Sequence, residues 1–405
     1  MQGAPVNVVV AIVDALLAAA ALLLAVPVAV LLLQVLLSLP RERAPAPRLT
    51  RRPRLAVLMP AHDEAAGIAA ALATVVPQLL PGDRVLVVAD NCTDDTAALA
   101  TAAGAEVVQR RDASRRGKGY ALDFGVRHLA ADAPEVVVIV DADCRLEPAA
   151  LDRLARECAA TGRPVQALYL MQSPPQAGLK TRIAEFAWVV KNHARPLGWH
   201  RAGWPCQLMG TGMAFAWATL RDAPLASGHL VEDMQLGLDL ALAGTPPRFC
   251  PDARVTSRFP QGAAALDSQR TRWEHGHLGV IASQAPRLVA RALATGRPSL
   301  LALALDLAVP PLAALVVMLC GLAVAAALRA AAGGSAAPLA ATALALLALL
   351  AAVLLAWWRH GRRIVSLREL LGAPLYALGK LPMYLRLMRA RQVEWVRTRR
   401  DDNPQ

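Results

Sequence analysis

The chain has 405 residues, of which 56% are hydrophobic and 18% are charged, and its formal net charge is +12. It is too apolar for an ordinary soluble enzyme and too charged for a protein embedded wholly in a membrane, so we expect one soluble domain with a few membrane spans. Aromatic residues make up only 4% of the chain and no DNA- or RNA-reading motif occurs, which argues against nucleic-acid binding.

Three long runs of apolar residues predict helices that cross a membrane, each long enough for a hydrocarbon layer of about 30 Å. They extend from Ala15 to Leu33, from Leu307 to Leu328 and from Ala336 to Trp358. No Lys or Arg precedes the first run, and no clear cleavage site follows it. We therefore interpret the first run as an anchor rather than a cleaved signal peptide.

Basic residues indicate the orientation of these spans, because cytoplasmic flanks carry an excess of Lys and Arg. Arginines cluster after the first run, before the second and after the third, whereas the segment between the second and third holds only Arg329. The pattern predicts four regions: an anchor and basic linker at 1–48, a cytoplasmic domain at 49–290, two transmembrane helices with a short periplasmic loop at 291–358, and a basic cytoplasmic tail with an interfacial helix at 359–405.

Within the predicted cytoplasmic domain, strand patterns alternate with helical patterns. The strands are "RLAVLMPAHDE", "DRVLVVADNCTDDT", "AEVVQRRD" and "EVVVIVDADC", with helices at 97–103 and through "GYALDFGVRHLA". This order predicts an α/β fold whose βαβ units surround a mostly parallel, Rossmann-like sheet covered on both faces. Polar residues follow three of the strands, at the edge where such sheets bind ligands; they are Asp63, Glu64, Asp90, Asn91, Asp141 and Asp143.

The most informative of these strand ends carries two carboxylates one residue apart. Asp141 and Asp143 follow a buried strand, and residues two apart in an extended chain point to the same side. Carboxylate oxygens are the ligands that hard cations such as Mg²⁺ and Mn²⁺ prefer. The pair therefore predicts a divalent cation that bridges to phosphate oxygens of a substrate, although solvated loops also carry this pattern.

The segment "RRDASRRGKGYAL" places Arg115, Arg116 and Lys118 among glycines. Its spacing differs from that of a P-loop, so it predicts no nucleoside-triphosphate cradle of that kind. A flexible basic loop can nevertheless meet a diphosphate. The alternative interpretation is a solvated basic turn.

Two further segments combine charge with helical spacing. In "GHLVEDMQLGLDLALAG", Glu232 and Asp233 begin an apolar-periodic helix, where acidic residues also simply complement the helix dipole. In "DSQRTRWEHGHL", a helix starting at Asp267–Ser268 would place an amide, a planar cation and an aromatic ring on one face, suited to a diphosphate and a sugar; these residues are Gln269, Arg272 and Trp273. The alternative for this face is an Arg/Trp anchor at the membrane interface.

Taken together and in this order, the motifs resemble the family 2 inverting glycosyltransferases with a GT-A fold. The matching elements lie between residues 55 and 273: "VLMPAHDE", "VVADNCTDDT", "RGKGYAL", "VDADC", "GTGMAF", "VEDMQLGLDLALAG" and "QRTRW". The last of them, Q-x-x-R-W, is typical of the membrane-associated branch of polysaccharide synthases and lipid glucosyltransferases. Taken together, the sequences of these motifs are most similar to those of bacterial enzymes linked to exopolysaccharide synthesis.

The resemblance implies a role for each matching residue. Asp141 and Asp143 would hold a nucleotide diphosphate through Mg²⁺ or Mn²⁺. Asp233 would be the general base, with Glu232 beside it. Asp63 and Asp90 would line the nucleotide pocket, with Asp90 facing the base and Lys118 near the nucleotide.

The remaining motif, Q-x-x-R-W, implies that Gln269, Arg272 and Trp273 bind the diphosphate and border the acceptor. The usual family wording "DDGSTDDT" is here "ADNCTDDT". Ala89 therefore replaces the first acid, and the role of that acid cannot be transferred to this chain.

The resemblance further implies a multi-pass enzyme of the bacterial inner membrane that uses a nucleotide-sugar donor, with UDP as the usual carrier. Three spans are too few for a self-contained polysaccharide channel, so we favour transfer of one hexose to a membrane-held, lipid-linked acceptor. A processive exopolysaccharide synthase, with its channel completed by a second copy or by a polysaccharide-assembly partner, is the alternative. A catalytically inactive GT-A scaffold in an assembly complex is the second alternative.

Overall fold

The computed structural model describes the backbone at 4–40, 51–228, 231–260 and 263–384, and the side chains there except at 4–8, 263–270, 272 and 275. Within these ranges eight strands form one sheet. The strands are β1 Leu55–Ala61, β2 Arg84–Asp90, β3 Glu106–Arg110, β4 Val136–Ile139, β5 Arg145–Leu146, β6 Val165–Gln172, β7 Met213–Ala216 and β8 Arg248–Arg258.

The same ranges contain fifteen α-helices. They are α1 Ala4–Ser38, α2 Ile68–Val75, α3 Thr96–Ala102, α4 Lys118–Leu129, α5 Ala150–Thr161, α6 Leu179–Val189, α7 Arg195–Arg201, α8 Trp217–Arg221, α9 Glu232–Leu242, α10 Ala263–Thr295, α11 Pro298–Leu307, α12 Leu312–Ala331, α13 Ala337–Ala356, α14 Leu367–Leu370 and α15 Ala373–Leu378. Two π-helical segments, Val190–Ala194 and Trp357–Gly361, follow α6 and α13 directly.

The strand order is β3-β2-β1-β4-β7-β6-β8-β5. The first four strands are parallel and alternate with helices, as the sequence predicts. Beyond β4 the sheet becomes mixed, because β7 pairs antiparallel with both β4 and β6. The predicted α/β fold with a mostly parallel sheet is confirmed, and the ends of β1, β2 and β4 lie side by side as expected.

Both faces of the sheet are covered by helices. Successive side chains of β1 point to opposite faces. Leu55, Val57 and Met59 join a core with α2 and α5, whereas Ala56 and Leu58 join a core with α4 and α9. The helical spacing in "GYALDFGVRHLA" is confirmed, because the apolar positions of α4 face this second core.

Three of the described helices are long and apolar enough to cross a membrane, and they span Val9–Ser38, Leu312–Ala331 and Ala337–Gly361. The first contains the predicted run, and the third contains its run except for Ala336. The second predicted run is wrong at its start, because α11 ends at Leu307 and α12 begins only at Leu312. Pro310 and Pro311 lie between them, and proline has no amide hydrogen to continue a helix.

Two other details differ from the sequence interpretation. The predicted start at Asp267–Ser268 is wrong, because α10 already includes Ala263. Alanines have the highest helix propensity, and a polar pair four residues further on does not interrupt the helix. Of the predicted basic tail, residues 385–405 lie outside the described residues.

A third hydrophobic cluster joins the apolar helices to the sheet domain. It combines side chains of α1, α12 and α13 with side chains of α6 and α7. Phe186 and Trp199 are the largest contributions from the sheet-domain side, and both are buried. The apolar helices therefore pack against the domain that carries the polar strand ends.

A buried polar network lies at the same junction and links α1, α7 and α11. The carboxylate of Asp306 accepts hydrogen bonds from Gln34 Nε2 at 2.7 Å, from Gln207 Nε2 at 2.6 Å and from Arg195 Nη2 at 3.0 Å. Arg195 Nε also donates to Gln34 Oε1 at 3.1 Å. All four side chains are buried, so the Arg195 cation and the Asp306 carboxylate each compensate the charge of the other away from water.

We expect Asp306→Ala to lower the free energy of unfolding by about 3 kcal/mol, because it leaves the Arg195 cation buried and unpaired. The thermal unfolding midpoint of the detergent-purified protein measures this effect. Asp222→Ala is the control, since the side chains of Asp222 and its partner Arg221 are 67% and 56% exposed and such pairs contribute about 1 kcal/mol or less. Equal midpoints for the two variants would contradict the structural role of the network.

Candidate active site

A cavity of about 240 Å³ lies beyond the carboxyl end of β4, against α4, α9 and α10. It brings together six residues that the sequence analysis identified in four separate segments: Lys118, Asp141, Asp143, Glu232, Asp233 and Trp273. These four segments are spread over more than 150 residues of the chain, from 118 to 273. Only the tertiary structure makes them one site.

The two carboxylates of the Asp-x-Asp pair lie in this cavity within reach of one cation. Ligand atoms of Asp141, Asp143 and the neighbouring Cys144 are all within 4.8 Å of one another. Burial, followed by the charges of the two carboxylates, raises the pKa of the Cys144 thiol. The thiol is therefore protonated at neutral pH, and the ligands on offer are carboxylate oxygens, as Mg²⁺ and Mn²⁺ require.

The "GTGMAF" segment fixes the first of these carboxylates. The backbone N–H of Asp141 donates to the buried Thr211 hydroxyl at 3.0 Å. Gly212 has a φ of +65°, and a Cβ there would lie 2.7 Å from Val255 Cγ2. Glycine is thus required for close packing of this segment against the sheet, and the packing positions Thr211.

Lys118, the first residue of α4, points into the cavity. Its ammonium donates to the Gly210 carbonyl oxygen at 2.7 Å and forms an ion pair with Asp141. Burial acts to lower the pKa of Lys118, but the nearby charges of Asp141 and Glu232 outweigh it and raise the pKa. Lys118 is therefore a fixed cation of the site, whereas Arg115 and Arg116 are exposed.

Glu232 and Asp233 form the first turn of α9 and face Lys118 across the cavity. A Cβ on Gly210 would lie 3.4 Å from Asp233 Oδ2 and 3.7 Å from Lys118 Nζ, which places these two groups around the same glycine. Burial raises the pKa of Asp233. Burial, followed by the Asp233 charge, raises the pKa of Glu232 to about 7. Two carboxyls that share a site in this way are suited to proton transfer near neutral pH.

The Q-x-x-R-W segment lies on α10, and its tryptophan borders the cavity. The Trp273 ring lies 5.0 Å from the ring of Trp188, which in turn meets Tyr169 edge-on at 5.5 Å. All three rings line the cavity and form its aromatic wall. The side chains of Gln269 and Arg272 lie outside the described residues, so their predicted contacts stay predictions.

Asp63 and Asp90 lie at the ends of β1 and β2, beside this cavity but not in its lining. Asp63 Oδ1 accepts a hydrogen bond from the backbone N–H of Thr93 at 2.6 Å. Asp90 accepts a hydrogen bond from Arg110 Nη1 at 2.6 Å, and burial raises the pKa of Asp90. Both carboxylates thus have partners on neighbouring strand ends.

Sequence reasoning missed the polar floor of the cavity, which comes from the π-helical segment after α6, from α7, from the loop before β7 and from α11. The floor residues are Lys191, Asn192, Arg195, Gln207 and Asp306. The signals were polar residues within the apolar segment "FAWVVKNHARPLGW" and the single acid, Asp306, within the apolar run "LLALALDLAV". A π-helical turn, which recurs at functional sites, could not be read from that pattern.

A curled, mixed sheet with an Asp-x-Asp pair at its polar edge defines the GT-A class of fold. Residues 53–276, more than half of the chain, match the family model described as "Glycosyltransferase like family 2". The chain therefore belongs to this glycosyltransferase family.

Individual relatives agree with this assignment over parts of the chain. Glucosyl-3-phosphoglycerate synthase from Mycolicibacterium paratuberculosis is 41% identical over 96 residues, 22% of this chain and 28% of that protein. An uncharacterized glycosyltransferase from Mycobacterium bovis is 39% identical over 101 residues, 25% of this chain and 42% of that protein. The chain thus spans well under half of either relative.

A solved structure extends the similarity of the fold to most of the chain. It is a mannosyltransferase from Pyrobaculum calidifontis in complex with GDP-Man and Mn²⁺. The TM-score is 0.55 at 24% sequence identity, and the match covers 85% of this chain and 99% of that chain. The likeness therefore includes elements beyond the sheet domain.

Proposed function

We propose that this protein is an inverting, metal-dependent glycosyltransferase that moves a hexose from a nucleotide-diphosphate donor to a membrane-held, lipid-linked acceptor. The observation that carries the proposal is the single cavity in which the Asp141–Asp143 pair, the Lys118 cation, the half-buried Asp233 and the Trp273 ring meet. Mn²⁺ with GDP-Man in the Pyrobaculum calidifontis enzyme supports both the metal and the donor class. UDP is the usual carrier of the family that the motifs resemble, so a UDP-sugar is the first donor to test.

The six cavity residues that the sequence analysis identified each have a part in this reaction. Asp141 and Asp143 would hold Mg²⁺ or Mn²⁺, which neutralises the charge of a departing diphosphate. Lys118 adds a positive charge next to the same carboxylates. Asp233 accepts the proton of the attacking hydroxyl, and burial raises the pKa of both Asp233 and the neighbouring Glu232. The rings of Trp273 and Trp188 offer a surface on which a sugar can stack.

The remaining assignments extend the proposal away from the cavity. Asp63 and Asp90 would line the nucleotide pocket at the neighbouring strand ends, with Asp90 toward the base. Gln269 and Arg272 would contact the diphosphate from α10. Together these roles correspond to the membrane-associated branch and to a place in exopolysaccharide or glycolipid synthesis.

The three apolar helices support a multi-pass protein of the bacterial inner membrane with its catalytic domain on the cytoplasmic side. In this arrangement the region at 49–290 is the catalytic domain, and 1–48 and 291–358 contain the spans. The region at 359–405 is a basic cytoplasmic tail with an interfacial helix. Three spans also favour single transfer over a processive synthase, which would need a second copy or an assembly partner to enclose a channel.

A donor screen tests this function directly. The detergent-purified protein is incubated with nucleotide sugars and Mn²⁺ or Mg²⁺, and release of nucleoside diphosphate is followed with and without bacterial lipid extract. We expect release from one donor, dependent on both the lipid and the cation, and its loss on chelation. Lipid-independent release that builds a long polymer would favour a synthase, and nucleotide binding without turnover of any donor would favour an inactive scaffold.

A further inference from the structure

A second cavity, of about 130 Å³, adjoins the catalytic cavity and is largely apolar. Its walls include Leu31 of α1 and the segment from Pro310 to Ala313, where α11 gives way to α12. Leu31 lies near the end of the first apolar helix, and Leu312 begins the second. The apolar cavity is therefore at the level where the proposed spans meet the catalytic domain.

The two cavities share four lining residues: Trp188, Lys191, Arg195 and Trp273. The Lys191 ammonium lies 5.7 Å from the centre of the Trp188 ring and forms no ion pair within the described part of the chain. Of the four charged side chains that line the apolar cavity, Lys380 pairs with Glu274 and Arg195 pairs with Asp306, whereas Lys191 has no ion-pair partner among the described residues. The Lys191 cation therefore favours an anionic group at the junction.

An unpartnered polar atom faces the same place. His277 lines the apolar cavity and is only 2% exposed, and its Nε2 is buried with no hydrogen-bond partner among the described residues. Burying such an atom costs free energy unless a ligand or water completes it. Lys191 and Arg195 are the residues of the junction that can bind a phosphate, whereas His277 Nε2 can accept a hydrogen bond from a hydroxyl group.

On the catalytic side of the junction, two amide oxygens are also without partners in the described structure. Asn192 Oδ1 and Gln207 Oε1 are buried in residues that line the catalytic cavity. Carbonyl oxygens accept hydrogen bonds, so hydroxyl groups are suitable partners for them. A sugar on this floor would lie between the cationic junction and Asp233.

We infer that the acceptor is a single-chain lipid in which a phosphate or diphosphate joins the hydrocarbon chain to the sugar that receives the new residue. The start of the chain occupies the apolar cavity, the phosphate lies at Lys191 and Arg195, and the accepting sugar rests on Asn192 and Gln207. This inference rests on the proposed function and specifies its acceptor.

With such an acceptor, every bond made and broken in the reaction can be assigned. A hydroxyl oxygen of the accepting sugar bonds to the anomeric carbon of the donor, and the bond from that carbon to the donor diphosphate breaks. The hydroxyl proton goes to Asp233, and the nucleoside diphosphate leaves with the negative charge. The lipid phosphate takes no part in bond making. Lys191, which binds it in this proposal, is therefore a residue that positions the acceptor.

The test compares two acceptors that differ only in charge: an isoprenoid chain joined to glucose through a diphosphate, and the same chain joined to glucose directly. We expect a KM at least about 10-fold lower for the diphosphate acceptor, the range of a charge-assisted contact. Lys191→Ala should raise that KM about 10-fold with the donor KM unchanged, and Lys191→Arg should restore most of it. Lys180→Ala, at an exposed lysine of α6 outside both cavities, is the control.

Equal use of the two acceptors, or a Lys191→Ala effect that is the same for both, would overturn the inference and leave the proposed function intact. Binding of dodecyl phosphate, followed by tryptophan fluorescence against dodecanol, tests the site without turnover. Selective binding that Lys191→Ala weakens would support the phosphate site even if no donor were turned over, and that result would count against the proposed function alone. Equal binding of the two probes would overturn the site.

Discussion

Asp233→Asn should lower the rate of glycosyl transfer by about 10³-fold while leaving nucleotide binding within about twofold of the wild type. Asparagine keeps the size and most hydrogen bonds of the side chain but cannot accept the proton of an attacking hydroxyl. Asp233 is half-buried and lies beside Gly210 and Lys118 in the cavity lining, where it is positioned to act as the base. Transfer rates and nucleoside-diphosphate affinity, measured on the same preparation, separate the two effects.

A matched control lies on the same helix. Asp239 is partly exposed on α9, where it accepts a hydrogen bond from Gln235 Nε2 at 2.8 Å, and it is absent from the cavity lining. Asp239→Asn should therefore retain the wild-type rate. A similar rate for Asp233→Asn and the wild type would contradict the base role and leave α9 with a structural function.

The pH profile provides an independent check on the same pair. Because the pKa of Glu232 is raised to about 7 in the folded protein, the two carboxyls together hold a proton below neutral pH. The transfer rate should rise with pH through about 7, as the pair loses that proton and Asp233 becomes free to act as a base. Glu232→Gln removes the neighbouring negative charge and should move this rise to lower pH.

Asp143→Asn should weaken metal-dependent binding of a nucleoside diphosphate by about 100-fold, because it removes one of two carboxylates that face a single cation. Asp143 is a clearer test than Asp141, whose carboxylate also holds Lys118. Mn²⁺ binding by electron paramagnetic resonance, with and without nucleotide, measures the site directly. The wild type should bind the nucleotide weakly in the absence of a divalent cation.

A second acidic cluster provides the control for this prediction. Ligand atoms of Asp63, Cys92 and Asp94 also lie within 4.8 Å of one another, but outside the catalytic cavity. Asp94→Asn should leave Mn²⁺ binding unchanged if the cation occupies the Asp141–Asp143 pair. Loss of Mn²⁺ binding in Asp94→Asn, with retention in Asp143→Asn, would contradict our proposal. It would show that the cation binds at the cluster of Asp63, Cys92 and Asp94.

Local patterns predicted the first half of the sheet and its polar edge. The strands around Val57, Val87 and Val138 follow from short apolar runs between turn-forming segments, and parallel βαβ units then place their carboxyl ends side by side. The mixed half of the sheet was harder to predict, because "GTGMAF" and the β8 segment "RFCPDARVTSR" contain no comparable apolar run. Their strand identity depends on pairing partners far away in sequence.

The sequence by itself determined the strand-end acids, the three apolar helices and the helix that begins at Glu232, because each depends on residues close together in the chain. The tertiary structure decided that Lys118, Asp141, Asp233 and Trp273 share a cavity. It also decided that a π-helical turn joins that cavity to an apolar one. Contacts between distant segments arise from packing of whole elements, and no local spacing encodes them.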